Sequence, residues 1–347
     1  MSARNPNWSV VATVDEPPAL VQAFVAWHLH LGAQTIHLYC DNPDDPLPQT
    51  LAHLQQVVVV RCDAAYWQAD GKSRPKRHQV RQVRNARHAY AACPSDWLVH
   101  IDADEFLWPG SRVAETLASV AEETDGLIVP VEERLHRPDD PGHSVFEGAF
   151  RRPFRGPQHR GRAIFGSDYD LTQCGLTGHA QGKAFARCGR DLSMSVHRHK
   201  RRDGSAPHLA RPEPDELALL HFDGLTPLSW VFKRARMLRA LEKNDGMPPS
   251  EHRKAQTKAL VDNPGKAEAV YQALKSATPE VEHLLRRHGL WHAPAFEVST
   301  ALARYFPDEK PDLSPDAMDQ WLFSKKANVI AYLSKSDMKK GPPDGSP

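Results

Sequence analysis

Trp8 to Val14 is an unbroken β-favouring run that stops at Asp15-Glu16-Pro17-Pro18. Prolines end a strand and are tolerated in the first turn of a helix. Ala19 to Leu31 follows with helical spacing, and Leu20, Phe24, Trp27 and Leu31 fall on one face. Gly32 closes that helix. Ile36 to Cys40 predicts a second buried strand, ended by the loop-forming Asp41-Asn42-Pro43-Asp44-Asp45-Pro46. Leu47 to Gln55 predicts a short helix, and the valine-rich Val57 to Arg61 a third strand. A long polar helix is expected over Arg77 to Cys93, then a fourth strand over Trp97 to Ile101. Strands alternating with helices predict an α/β fold with a largely parallel sheet, and ligands of such sheets bind beyond the carboxyl ends of the strands. Asp15-Glu16, Asp41 and Asp102-Ala103-Asp104 all fall at such ends.

Further along, Arg112 to Glu122 reads as a helix and Gly126 to Val131 as a buried strand. Pro138 to Arg162, rich in Pro, Gly and Arg, reads as a long loop of the kind that serves as a lid or acceptor-binding element. Lys183 to Cys188, Ser193 to His197 and Leu217 to Phe222 read as short strands, and Pro227 to Lys243 as a basic helix. Beyond Asp245 the pattern is helical, over Ser250 to Val261, Lys266 to Ser276 and Val281 to His288. The expected organisation is one α/β domain over residues 1–240, a helical extension over 241–335 and a disordered tail over 336–347.

Composition narrows the function. The 347 residues are 40% hydrophobic and 25% charged, enough apolar material for a sizeable core. The formal charge of +1 lacks the basic bias of a polyanion binder, so nucleic acid is not an expected partner. The N-terminus has no apolar run of signal-peptide length and no stretch approaches a membrane span, which predicts a cytoplasmic protein. Peripheral contact with a membrane face through a surface patch stays open. The five cysteines contain no CxxC pair, so reduced thiols are expected rather than a disulfide framework or structural zinc.

The chemistry concentrates in Trp97-Leu98-Val99-His100-Ile101-Asp102-Ala103-Asp104-Glu105-Phe106. An apolar strand runs straight into two aspartates one residue apart, and positions i and i+2 at a strand end point to one side. Mg²⁺ or Mn²⁺ accepts one or two such carboxylates and completes its shell with phosphate and water oxygens. Asp102 and Asp104 are therefore the expected metal ligands and catalytic residues, their ion holding a nucleotide diphosphate and offsetting its leaving charge. A cluster of aspartates capping a helix is the bland alternative. A haloacid-dehalogenase-like phosphatase would want Thr or Val where Phe106 stands. A sugar nucleotidyltransferase would want a Gly-rich loop where Val14-Asp15-Glu16-Pro17 stands. A metal-dependent phosphatase or nucleotidyltransferase, or a non-catalytic carbohydrate-binding protein, are the rival functions.

Val14-Asp15-Glu16-Pro17, Trp27-His28-Leu29-His30-Leu31-Gly32-Ala33 and Ile36-His37-Leu38-Tyr39-Cys40-Asp41-Asn42 together resemble the opening of family-2-like glycosyltransferases, relatives of family 92. Trp97 to Phe106 looks like the metal-binding strand of that family. Gly182 to Arg187, His197-Arg198-His199-Lys200 and Leu220-His221-Phe222, followed by Ser229 and Lys233, resemble its later blocks. The resemblance spans about residues 8 to 240. It implies a GT-A-like, Rossmann-like fold, a divalent ion and a nucleotide-sugar donor such as a UDP-sugar. The acceptor would be a saccharide or lipid-linked hydroxyl, in the assembly of a surface polysaccharide. The family's opening turn usually carries Asn-Glu, whereas this chain has Asp15-Glu16.

The remaining site candidates are weighed residue by residue. Asp15 and Glu16 would lie near the donor. Asp41 would contact the nucleoside, its carboxylate accepting from ribose hydroxyls or a uracil N–H, or would simply start a turn. Arg81, Gln82 and Asn85, within about a helical turn, could face the donor or form part of a solvated basic face. Lys183 and Arg187 could pair with phosphates. His197, placed with His199 on one strand face, and His221 are rival ligands to complete a Mn²⁺ site. Glu133 is the expected general base if the transfer inverts configuration, with Glu132, Asp168, Asp170 and Asp223 as alternatives.

Overall fold

The computed structural model describes residues 5–69, 71, 73–137, 142–242, 249–262 and 266–325. The tail expected to be disordered, 336–347, lies outside the described residues, as does part of the expected loop over 138–162. Chain order runs β1 (Trp8–Val14), α1 (Pro18–His30), β2 (Thr35–Cys40), α2 (Leu47–Thr50), β3 (Val57–Arg61), α3 (Ala64–Gln68), α4 (His78–Ala92), β4 (Trp97–His100), β5 (Glu105–Pro109), α5 (Val113–Ala118), β6 (Gly126–Val129) and β7 (Val131–Leu135). It continues through β8 (Ala149–Arg151), α6 (Gln158–Phe165), β9 (Lys183–Arg187), β10 (Leu192–Ser193), β11 (Lys200–Arg201), β12 (Leu209–Ala210), β13 (Leu217–His221), α7 (Pro227–Glu242), α8 (Glu251–Asp262), α9 (Ala267–Lys275), α10 (Pro279–Arg287), β14 (Trp291–His292) and α11 (Val298–Tyr305).

The chain divides into two compact units, and neither is a single run of sequence. The first comprises residues 1–132, 179–221 and 294–311, the second 133–178, 222–293 and 312–347. The boundary expected at residue 240 coincides with neither.

The first unit carries the expected α/β sheet. Its seven-stranded sheet has the order β12-β6-β9-β4-β1-β2-β3. β1 is parallel to both β2 and β4, and β2 is parallel to β3. β9 runs antiparallel to β4 and β6. β1 is buried along its whole length, as are all four residues of β4, which explains their continuous apolar runs. Gly32 ends α1 at φ +93°, a conformation L side chains rarely adopt.

α1 differs from its expected single buried face. Leu20 through Leu29 are all buried, which marks a helix covered on every side. The second cover is the late segment 294–311. Phe296 packs at 4.5 Å from the Trp27 ring and 5.3 Å from Phe106, and Gln22 donates to Glu309 at 2.5 Å. His28 Nδ1 donates to Phe24 O at 2.8 Å, while its Nε2 accepts from Leu107 N at 3.3 Å. Burial pushes this imidazole down to about 3, so it docks the helix on β5 as a neutral ring.

Other elements are shorter or differently placed than expected. The helix over 47–55 is one turn, Leu47–Thr50, and the helix over 112–122 covers only Val113–Ala118. The expected loop over 138–162 contains β8 and the start of α6. In the second unit β8 lies between β7 and β14, antiparallel to both. α7, α8 and α9 pack in the same unit through Trp230, Leu260, Tyr271 and Leu274.

Candidate functional site

The parallel strands β1, β2 and β4 bring their carboxyl ends to one edge of the first unit, each with an acidic segment beyond it. After β4 the chain makes a turn over Asp102-Ala103-Asp104, closed by Glu105 N donating to Asp102 O at 3.0 Å, and re-enters as β5. The two aspartates thus occupy a turn rather than an extended strand end, and meet different partners. Asp102 accepts from Lys183 Nζ at 2.8 Å and from Gln82 Nε2 at 2.5 Å. Its backbone N–H donates to Glu105 Oε2 at 2.8 Å. Asp104 Oδ2 lies 3.8 Å from His221 Nε2.

Lys183 is the hub. Fully buried at the start of β9, it reaches Asp102 at 2.8 Å and Glu105 at 3.2 Å. Burial alone would lower its pKa, but the two carboxylates hold it above the ordinary lysine value. Burial would likewise raise Asp102, and Lys183 and His100 overcome this to hold it well below the usual range. Asp102 keeps 31% of its side chain exposed, so solvent screens part of that attraction. Lys183 is therefore bound to the carboxylates themselves rather than presented to a phosphate.

Glu105 and His179 are absent from the residues expected above, yet both belong here. Glu105 is completely buried, and His179 Nε2 hydrogen-bonds its Oε1 at 2.8 Å. The His179 ring lies 4.4 Å from His197 and 5.2 Å from His221. Ligand atoms of Glu105, His179 and His221 lie within 4.8 Å of one another. Glu105 adjoins the Asp-Ala-Asp motif and His179 stands four residues before Lys183, but no local periodicity marks either as a site residue.

His197 is not on a strand. β10 ends at Ser193 and β11 begins at Lys200, so the expected shared strand face with His199 does not exist. His197 Nδ1 hydrogen-bonds Gly182 O at 3.2 Å, and burial pushes its ring down to about 3. His199 instead lies against Gly126 of β6, where a Cβ would stand 2.1 Å from its ring.

At the β2 end, Asp41 is buried and clamped. Arg81 donates to both its oxygens, at 2.6 and 2.7 Å, and Arg74 adds a contact at 3.0 Å. Burial opposes ionisation, but His78 and Arg81 hold this carboxyl far below the usual range. Beyond β1, Asp15 N donates to Glu16 Oε2 at 2.7 Å. Arg81 thus reaches the site edge through Asp41.

Three expected residues are placed elsewhere. Asn85 is fully buried, donating to Thr13 Oγ1 at 2.9 Å and accepting from Tyr66 at 2.8 Å, so it ties α4 to β1. Arg187 pairs in register with Trp97, at the amino end of β4, whereas Lys183 lies near its carboxyl end. Four strand residues separate the two by about 13 Å. The Arg187 guanidinium donates to carbonyls of Thr124, Ala121 and Val120 and lies 4.2 Å over the Trp97 ring. Glu133 belongs to β7 in the second unit and is fully enclosed. Its oxygens accept from Arg151, Thr177 N, Thr177 Oγ1 and Gly178 N at 2.6–2.9 Å, with Lys275 at 3.3 Å. A base must reach its proton, and this carboxylate is occupied by structural donors.

No family model and no curated protein matches the sequence. Among solved structures, HddC from Yersinia pseudotuberculosis is 12% identical over 37% of this chain and 59% of its own, with a TM-score of 0.25. The chain thus spans less than two thirds of HddC. TarS 1-349 from S. aureus is 12% identical over 96% of this chain and 88% of its own, TM-score 0.30. A 4-diphosphocytidyl-2C-methyl-D-erythritol synthase is 14% identical over 62% and 92%, TM-score 0.31. These likenesses are too slight to assign a function. The relation to glycosyltransferase family 92 finds no support in them. No helix among the described residues is long and apolar enough to cross a membrane.

Proposed function

We propose that the first unit binds a nucleoside diphosphate sugar together with Mn²⁺ or Mg²⁺ and transfers the sugar to a saccharide or lipid-linked hydroxyl. The observation that carries this reading is the acidic turn Asp102–Asp104 at the carboxyl end of β4, braced by buried Lys183 and faced by His221. Asp102, Asp104 and Glu105 against Lys183 leave two negative charges, which suits one divalent cation. Each carboxylate oxygen bonded to Lys183 or Gln82 keeps further lone-pair capacity for a metal. Two carboxylates with an imidazole form an oxygen-and-nitrogen donor set compatible with Mn²⁺. An ion held there would offset the charge that develops on the leaving diphosphate.

In this reading Asp104 and His221 are ligands, with Asp102 held in place by Lys183 and Gln82. Asp41, braced by Arg81, receives the nucleoside, and the Asp15-Glu16 turn borders the donor. A UDP-sugar is the donor we favour on the opening-segment resemblance, and TarS 1-349 has been solved with UDP-GlcNAc, though its similarity carries no weight by itself. Surface-polysaccharide assembly is the proposed setting. Thermal shift against a panel of nucleoside diphosphates and UDP-sugars, with and without Mn²⁺, tests it. Stabilisation that requires nucleotide and metal together, and disappears in Asp104→Ala, is the expected result. Nucleotide binding indifferent to Mn²⁺ and to Asp104 would overturn it.

A further inference from the structure

The sheet of the first unit has a second set of reactive groups at the opposite pole from the acidic turn. Antiparallel pairing of β4 with β9 sets Trp97 against Arg187. Cys188 follows β9, and its N–H donates to Asp96 O at 2.9 Å. Cys93 closes α4 three residues before Asp96, its own N–H bonded to Tyr90 O. Tyr90 fastens the corner further, its hydroxyl donating to the carbonyls of Arg187 and Arg190 at 2.8 and 3.0 Å. Both cysteines pack against one cluster that includes Val11, Leu98, Ala186 and Leu192, and neither is fully buried. These contacts bring the two cysteines to one corner of the unit, Cys93 just beyond α4 and Cys188 just beyond β9.

We propose that Cys93 and Cys188 form a reversible disulfide, with Cys93 as the attacking sulfur and Cys188 as the resolving one.

The chemistry follows from the asymmetry of the pair. Interaction with Cys188, and after it with His37, holds the Cys93 thiol below its ordinary pKa despite burial. The interaction with Cys93, together with burial, holds Cys188 above its ordinary value. A thiolate is the nucleophilic form. Hydrogen peroxide supplies the oxidising equivalents. The Cys93 thiolate attacks one peroxide oxygen, breaking the O–O bond to give Cys93 sulfenic acid and hydroxide. The Cys188 sulfur then attacks the sulfenic sulfur, forming the S–S bond and releasing water. Overall two thiols and one peroxide give one disulfide and two waters. The sulfurs must close to about 2.05 Å, through side-chain rotation at a corner the backbone already holds together.

The chain contains its own control. Cys40 and Cys62 are also neighbours, with Cys62 N donating to Cys40 O at 3.0 Å. Burial pushes both up to about 12, and both are enclosed in the core. They should not react.

The test is peptide mass mapping of the purified full chain after brief peroxide treatment and alkylation. The expected product is a Cys93–Cys188 cross-linked peptide, two hydrogens lighter than its parts and reversed by dithiothreitol. Cys188→Ser should instead accumulate sulfenic acid on Cys93, trapped by a dimedone probe, while Cys93→Ser should leave Cys188 alkylatable. Both exchanges are near-isosteric, and far-ultraviolet circular dichroism checks that each variant is folded. Both cysteines alkylated in full after treatment, or oxidised separately without cross-linking, would overturn the pairing. Labelling of Cys188 rather than Cys93 in the two variants would overturn the assignment of roles.

Discussion

Each unit buries acids against cations, and the two arrangements differ in what they leave over. In the first, Lys183 joins Asp102 to Glu105, and Asp102 keeps about a third of its side chain open to solvent. In the second, Glu133 is sealed between Arg151, Lys275, Thr177 and Gly178. The first cluster holds more carboxylate than cation and has room for a further positive charge. Glu133 faces two cations and four hydrogen bonds, so its coordination is complete. A carboxylate in a buried strand region can therefore be a site or a keystone, and its surplus charge and remaining access decide which.

The sharpest way to break this comparison is to remove Glu133. Glu133→Ala leaves Arg151 and Lys275 buried without their shared partner, a loss of about 3–5 kcal/mol for breaking a buried pair. Urea denaturation measures it, and a variant as stable as the wild type would show that Glu133 is not the keystone.

Acid and base titration of stability should separate the clusters next. Burial pushes Glu105 upward, but Lys183, with help from His179, brings it from 4.5 to about 2. Between those values the unfolded chain binds the extra proton. Stability present above pH 4.5 is thus lost as pH falls towards 2, by roughly 3 kcal/mol. Lys275 behaves oppositely in window though not in slope. Burial outweighs Glu133 and Asp223 and lowers it from 10.5 to about 8. The unfolded chain again binds more protons between these values, so stability rises from pH 8 to 10.5. Lys275→Met should flatten the alkaline rise and leave the acid limb unchanged, which denaturation across pH reads directly.

Asp104→Ala should leave the apo protein close to wild-type stability. It should also abolish the gain from nucleotide plus Mn²⁺, about 2.7 kcal/mol at ligand near one hundred times Kd. Arg187→Ala gives the smallest effect, a loss of about 1–2 kcal/mol from its carbonyl bonds and its stacking on Trp97. Nucleotide affinity, measured by calorimetry, should not change with it.

These expectations show where local pattern suffices. β1, β2 and β4 were legible because strands buried on both faces need continuous apolar residues, and β3, a partly exposed edge strand, because its four valines favour an extended chain. The acidic turn was legible because a charged pair directly after such a strand has few structural uses. Lys183 and Arg187 share one short strand and looked equivalent. The antiparallel register of β9 sends them to opposite poles, and register is set by distant residues such as Trp97. Glu133 looked accessible because a strand was expected to stop before it. Its seal comes from Thr177 and Gly178, 44 and 45 residues away. His179 was hidden because its significance lies in Glu105, 74 residues earlier.

The return of residues 294–311 over α1 has a consequence for synthesis. During translation the ribosome delivers Trp27 and Phe106 long before Phe296, their late cover. A nascent chain of even 290 residues still lacks that lid over its first helix. Completion of the first unit thus waits on the delivery of residues 294–311, and truncation at residue 240 would leave an apolar flank open to self-association.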